Sequence, residues 1–540
     1  MAERQLFSRD LDQQTRADQL FDGRQKIGFV ETTWRADELE VEPLADDRRH
    51  LQDALGLFTE CLTLPLHRNE HGPGGSQLGG RCAARPRPAG ADELALRDQG
   101  AHELLDEKRV LPGHRRERAQ RCGHAGPPRA EGATGVAQCT SMPAPEAEST
   151  DVLVIGGGVV GCAAAYHLAQ RKVEVLLVER GDLNREASGA NAGSLHIQIH
   201  AAHFRVQYLE HPRAAERADF FRASNRLFVE PARVWSQLET ELQTDLGVRI
   251  GGGLMVAESA AELAVVEAKV RYEHTVGLPT RVVSTAEMLA LAPALSPALL
   301  GASYCPNEGF ANPLLVAPAF MRRARACGAR LKLRTRVEGI EPGLRDRRFL
   351  VRTSAGPILA RRIVVAAGAQ TRQLCRLVGL DLPILTHPIM VMSTEKRPAV
   401  LSQLIQHAGT RPLTLRQTQY GTFVIGGGWP ASEIPGQARF SVERQSIAAN
   451  AAVAAEVLPA LRAVRLTRAW AGMTTTVARK NRVGLLGEDR QRGDLYVVVA
   501  SGLGFTLGPV LGRLMAEQVA DGGTSLPMEP FGLEHAWPAA

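Results

Sequence analysis

"DVLVIGGGVVGCAAAYHLAQRKVEVLLVER", residues 151–180, sets two apolar runs around a glycine cluster and an alanine-rich segment. Asp151–Ile155 is dense in Val and Ile, as a buried strand requires, and Val159–Leu168 is rich in Ala, the strongest helix former. Between them Gly156, Gly158 and Gly161 stand in the spacing G-x-G-x-x-G. The first permits a tight turn, the second lets backbone approach a pyrophosphate, and the third lets helix pack on strand. Val159, Val160 and Gly161 open the helix, whose first N–H groups have no intrahelical partners and point a positive dipole end at the phosphates. The second run, Val173–Val178, ends in Glu179 and Arg180. Glu179 stands about 20 residues after the glycines, where a carboxylate accepts hydrogen bonds from a ribose. These residues predict a complete βαβ dinucleotide unit. An acid at 179 repels a 2′-phosphate, so NADP is disfavoured; NAD and FAD both stay open.

Three further loops are built of small residues, which let backbone lie close to a planar ring. "EASGANAGSLHIQ", residues 186–198, carries Ser188, Asn191, Ala192, Gly193 and Ser194. "RRIVVAAGAQTRQL", 361–374, is a buried strand running into Ala367 and Gly368. "LYVVVASGLGFTLGPVLGRLMAEQVADG", 495–522, is a strand, a glycine-rich loop with Gly502, Gly504, Phe505 and Thr506, and a helix expected to begin near Gly508. All three are expected to converge on one ligand. Ser194, His196 and Gln198 alternate and would share a face.

This order of segments, over about residues 150–522, resembles the flavin-dependent amine and amino-acid oxidoreductases of the D-amino-acid oxidase, glycine oxidase and sarcosine oxidase type. "ASGANAGSLH" and "GFTLGP" are most similar to the flavoprotein subunits of opine oxidases and of hydrogen cyanide synthase. The resemblance implies FAD, held noncovalently, in an α/β fold: a Rossmann-like FAD-binding domain of the glutathione-reductase type with an inserted α+β substrate domain. It places the FAD-binding domain in three pieces (150–245, 305–383, 468–525), the substrate domain in two (246–304, 384–467), and a tail at 526–540. It makes Val337 an adenine contact and sets Gly504, Phe505 and Thr506 N–H groups at the flavin edge.

The activity implied is oxidation of the C–N bond of an amino acid or secondary amine, opine-, glycine- or proline-like. A hydride passes to flavin N5 and the imine left behind is hydrolysed. His196 would hydrogen-bond the amine or titrate near neutral pH. The charged groups with which relatives hold substrate or promote oxygen reduction are replaced by Thr474 and Thr506, leaving Arg416 as the anchor for a carboxylate; Arg479 and Lys480 sit in a nearby loop. A second subunit of a hetero-oligomeric oxidase is the expected protein partner. Two other readings stand beside this one: an NAD-binding dehydrogenase sharing the first βαβ unit, and a noncatalytic flavin-binding subunit of a multi-component complex.

In the rest of the chain, 205–242 and 259–292 read as helical and 247–258 as a hairpin. The 540 residues carry a formal charge of +6, but the basic residues of 1–141 are scattered beside acids without aromatic interleaving, which excludes a nucleic-acid surface. Eight cysteines form no C-x-x-C pair, so neither a disulfide framework nor a metal site is expected. No apolar run is long enough to cross a membrane, and the reading is a cytoplasmic protein, peripheral to a membrane at most through a partner. Residues 1–141 hold one Ile, four Val and no Tyr. They read as a disordered or non-native extension ahead of a start at Met142, close to where the resemblance begins.

Overall fold

The computed structural model describes residues 29–34, 39–44, 147–211, 213–342, 349–434, 440–478 and 483–535. The reading of residues 1–141 lies outside these, apart from one hairpin in which Phe29–Trp34 and Leu39–Leu44 pair antiparallel. "FVETTW" is rich in β-branched and aromatic residues; averaging composition over the whole segment hid it.

Eight strands make the first sheet. Glu148–Ile155 lies between Val175–Val178 and Gly356–Val365, both parallel to it. Gly356–Val365 also pairs antiparallel with Phe349–Thr353 at its start and parallel with Leu495–Ala500 at its end. Val152, Leu153, Val154 and Val364 have no exposed surface, the two-sided burial that makes parallel strands read as unbroken apolar runs.

The helix Val159–Gln170 covers this sheet, and Gly504–Asp521 crosses it closely. A Cβ on Gly508 would come within 2.5 Å of Val159 Cγ1, and one on Gly512 within 2.5 Å of Ala163 Cβ. The last helix starts at Gly504, one turn before the expected Gly508. Trp235 Nε1 donates to Thr506 O at 2.9 Å and helps hold that extra turn.

The second sheet, also eight-stranded, runs in the order Leu466–Val477, Ile384–Lys396, Thr422–Gly426, Thr414–Gln417, Leu404–His407, Gly253–Ala257, Gly301–Cys305, Arg281–Ser284. The hairpin expected at 247–258 does not form. Gly253–Ala257 pairs parallel with Leu404–His407 and antiparallel with Gly301–Cys305. Its glycines serve close passage rather than a turn between paired strands: a Cβ on Gly252 would come within 2.5 Å of the Tyr304 ring. The stretch 259–292 is likewise not all helical, since Arg281–Ser284 is a strand between Ala260–Thr275 and Thr285–Leu291, the second of which restarts on a Ser284–Glu287 capping box. The edge strand of this sheet runs to Val477, which pairs with Ile384.

Candidate functional site

At the fingerprint, Gly156 has φ +116°, and a Cβ there would come within 2.5 Å of Ala366 O. A Cβ on Gly161 would overlap Gly156 O, so only glycine lets the helix sit this close to the strand. Gly158 caps the helix without a side-chain bond, and a Cβ on it would meet only Ser188. Ser188 Oγ accepts from Val159 N–H at 3.0 Å. Glu179 accepts from Gly157 N–H (2.7 Å) and Gly181 N–H (2.8 Å), which fixes the carboxylate beside the turn with lone pairs to spare. Arg180 pairs with Glu186 at the surface. The backbone beside Glu179 is Lys332 to Thr335, whereas Val337 opens an antiparallel ladder opposite Thr353.

The loop 187–196 is gripped from the second sheet by three side chains. Trp470 Nε1 donates to Ala190 O at 2.7 Å, Arg416 Nε to Ala192 O at 2.5 Å, and Gln406 Oε1 lies 2.9 Å from His196 Nδ1. Within the loop, Asn191 donates to Ala187 O and Ser188 O and accepts from Gly193 N–H. Gly193, at φ +76°, packs so that a Cβ would overlap Ala311 O. From the helix side, Thr506 Oγ1 accepts from His196 N–H at 3.0 Å and donates to Ser194 O at 3.3 Å. The Thr506 hydroxyl is thereby committed to backbone, a role that spacing did not suggest.

Burial lowers His196 to about 4, against the opposing hydrogen bond to Gln406. It is neutral well below pH 7, so the expected titration near neutrality gives way to desolvation. Arg416 is buried and lowered to about 10 by that burial, with its guanidinium 4.9 Å from the Phe310 ring centre. Among the described residues no carboxylate forms a salt bridge with it. Sequence reasoning did not find Gln406, Glu308, Lys269 or Trp470; they come from other strands and helices, and no local motif announces them. Arg479 and Lys480 lie outside the described residues. Glu258, Glu262 and His407 bring ligand atoms within 4.8 Å of one another. Arg411 already neutralises Glu258, and Nδ1 of His407 accepts from Gly409 N–H, so a metal at Nε2 would require an imidazolate.

Whether a dinucleotide fits is decided by the glycines. Gly158, Gly368 (φ +52°) and Gly502 (φ +72°) face space in which a Cβ would meet one serine or nothing within 4 Å. The first-turn N–H groups of Val159–Gln170 and Gly504–Asp521 add two positive helix ends. Gly156, Gly158, Gly161, Glu179 and the loops at 191–194, 367–368 and 502–506 are therefore compatible with a dinucleotide joined by a pyrophosphate.

A two-sheet α/β protein with this glycine fingerprint is a nucleotide-binding protein by class. Residues 151–518 match the FAD dependent oxidoreductase (DAO) family, and the chain belongs to it. It is an oxidoreductase and FAD is its cofactor, which removes the NAD alternative. One of the subunits of the opine oxidase of Rhizobium meliloti is 28% identical over 342 residues, 61% of this chain and 82% of that one. In fold, the chain is similar to glycine oxidase from Geobacillus kaustophilus, with TM-score 0.62 and 24% identity over 72% of this chain and 98% of that one. It is also similar in fold to L-proline dehydrogenase from P. horikoshii, with TM-score 0.62 and 22% identity over 71% and 98%. Among the described residues no helix is long and apolar enough to cross a membrane.

Proposed function

We propose that this enzyme oxidises the C–N bond of an amine that carries a carboxylate, an amino acid or opine-like secondary amine, to an imine that water then hydrolyses. The observation that carries this reading is Arg416: a buried cation with no acidic partner among the described residues, bonded to the same loop whose next turn bears a neutral, half-buried His196. A buried charge is costly until an anion reaches it, and a substrate carboxylate supplies one. Opine oxidase, glycine oxidase and L-proline dehydrogenase, to which the chain is similar, are named for substrates of this kind.

In this scheme bound FAD supplies a two-electron acceptor. Arg416 holds the carboxylate, which orients the carbon that bears nitrogen. His196, unprotonated, accepts an N–H of the amine and orients its nitrogen; the amine binds already neutral. The loop at 191–194 and the helix start at 504–506 exclude water and keep the substrate against the cofactor's face. Thr506 carries no charge and its hydroxyl is used by Ser194 and His196. Nothing at that position favours reduction of oxygen, so electrons leave to a partner subunit or another acceptor. Anaerobic addition of opines, glycine, sarcosine and proline to the yellow protein tests the reading: bleaching by at least one is expected. Failure of every amine, with partner subunits present, would leave the noncatalytic-subunit reading in its place.

A further inference from the structure

Behind His196 lies a chain of buried polar side chains that the proposed reaction does not use. Gln406 sets its amide oxygen 2.9 Å from His196 Nδ1 and its nitrogen 3.0 and 3.2 Å from the two oxygens of Glu308. Glu308, with no exposed surface, also accepts from the N–H groups of Ile197 (2.8 Å) and Gln198 (3.1 Å) and from Gln198 Nε2 (2.8 Å). Gln198 Oε1 in turn accepts from Lys269 Nζ at 3.0 Å and Ser303 Oγ at 2.5 Å. Lys269 is ion-paired with Glu273 at 2.8 Å, and Glu273 also accepts from Ile199 N–H.

While Glu308 is ionised, donor and acceptor capacities leave one arrangement. An ammonium group only donates, so Gln198 must turn its oxygen to Lys269 and its nitrogen to Glu308. A carboxylate only accepts, so Gln406 must likewise turn its nitrogen to Glu308. The remaining Gln406 oxygen faces His196 Nδ1 and needs a hydrogen there. Since the imidazole is neutral, its Nε2 is then bare.

We propose that Glu308 is a positioning residue that acts through Gln406 to hold His196 as the Nδ1–H tautomer, presenting an unprotonated Nε2 to the substrate amine. The last clause rests on the reading of His196 as the amine's acceptor; the tautomer does not. The opposite tautomer would set an N–H against the amine's own N–H and lose the acceptor. A purely architectural Glu308 would account for its bonds to the backbone of Ile197 and Gln198, but not for Gln406 spanning the gap to the ring.

The test is 15N NMR of histidine-labelled, FAD-loaded protein at pH 8, above the value of about 7 to which burial raises Glu308. His196 is assigned by the signals missing from His196→Asn. The native ring should show a protonated Nδ1 and a bare Nε2. Glu308→Gln puts an amide nitrogen among donors, and the least costly relief is rotation of the Gln406 amide, which inverts the tautomer. Where that variant fails to fold, Gln406→Met removes the acceptor at the ring together with one donor to Glu308, and should shift His196 toward Nε2–H. In Gln406→Met the limiting rate of anaerobic flavin reduction should fall roughly 10- to 100-fold, the size of effect seen for partners that fix the tautomer of metal-bound histidines, with a much smaller change in substrate affinity. A native ring protonated at Nε2, or a tautomer unmoved in folded Gln406→Met, would overturn the proposal. Because the tautomer is read in the resting protein, failure of all amines to reduce the native flavin strikes the amine-oxidation reading separately.

Discussion

Replacing Arg416 by Met separates what this side chain does for substrate from what it does for the fold. Burial lowers Arg416 from 12.5 to about 10. That is a penalty of about 3 kcal/mol on the charged form, present at every pH below about 10 and relieved as pH rises through it. Against it stand the bond from Nε to Ala192 O and the contact with Phe310, worth roughly 1.5–3 and 0.5–2 kcal/mol. Removing the charge removes both sides of this balance. The substrate-free variant should therefore unfold within about 2 °C of the native protein. A substrate carboxylate, by contrast, loses its buried cation. That should cost about 3 kcal/mol or more, over 100-fold in kcat/KM. The assay is anaerobic flavin reduction with matched pairs, proline against pyrrolidine and sarcosine against dimethylamine. The carboxylate member of each pair should suffer the loss and the plain amine should react nearly as before. An equal loss for both members, or a midpoint lowered by more than about 5 °C with rates unaffected, would show that Arg416 serves the loop and not the substrate.

Gly161→Ala forces a Cβ into Gly156 O and should cost about 3 kcal/mol, seen as a lowered midpoint together with colourless protein. Gly158→Val, whose Cβ meets only Ser188, should lose flavin absorbance while the polypeptide stays folded by circular dichroism; full flavin occupancy would refute the phosphate cradle. Glu308, with a native value near 7 against an ordinary 4.5, favours the folded state below about pH 4.5 and loses that contribution as pH rises to about 7. Denaturant titrations should show stability falling by up to about 3 kcal/mol over that window, and Glu308→Gln should flatten the slope. Reduced flavin should reoxidise slowly in air and quickly with an artificial acceptor, and stopped-flow reoxidation in air as fast as turnover would refute the neutral Thr506 argument.

The nucleotide half of this protein was written locally. A strand, three spaced glycines, a helix and Glu179 lie within about thirty consecutive residues, and Gly156 and Gly161 answer to backbone contacts that no other residue tolerates, so sequence by itself determined the fold class and the tight turn between strand and helix. The small-residue loops at 186–198 and 495–522 were legible for the same reason. What failed was local reading wherever tertiary contact overrode it. Glycines at 251–253 signalled a turn but admit a parallel neighbour, and the helix expected near Gly508 starts one turn earlier, where Trp235 holds Thr506. The contribution of the second sheet belonged to tertiary structure altogether. Arg416 and Gln406 sit on neighbouring strands and act on residues some two hundred positions away, and Glu308 meets Gln198 and Gln406 across two elements more. Such groups are chosen by burial and by the supply of donors and acceptors around them. Those quantities exist only once the chain has folded, and they decide which charge waits for a partner and which nitrogen of a histidine is bare.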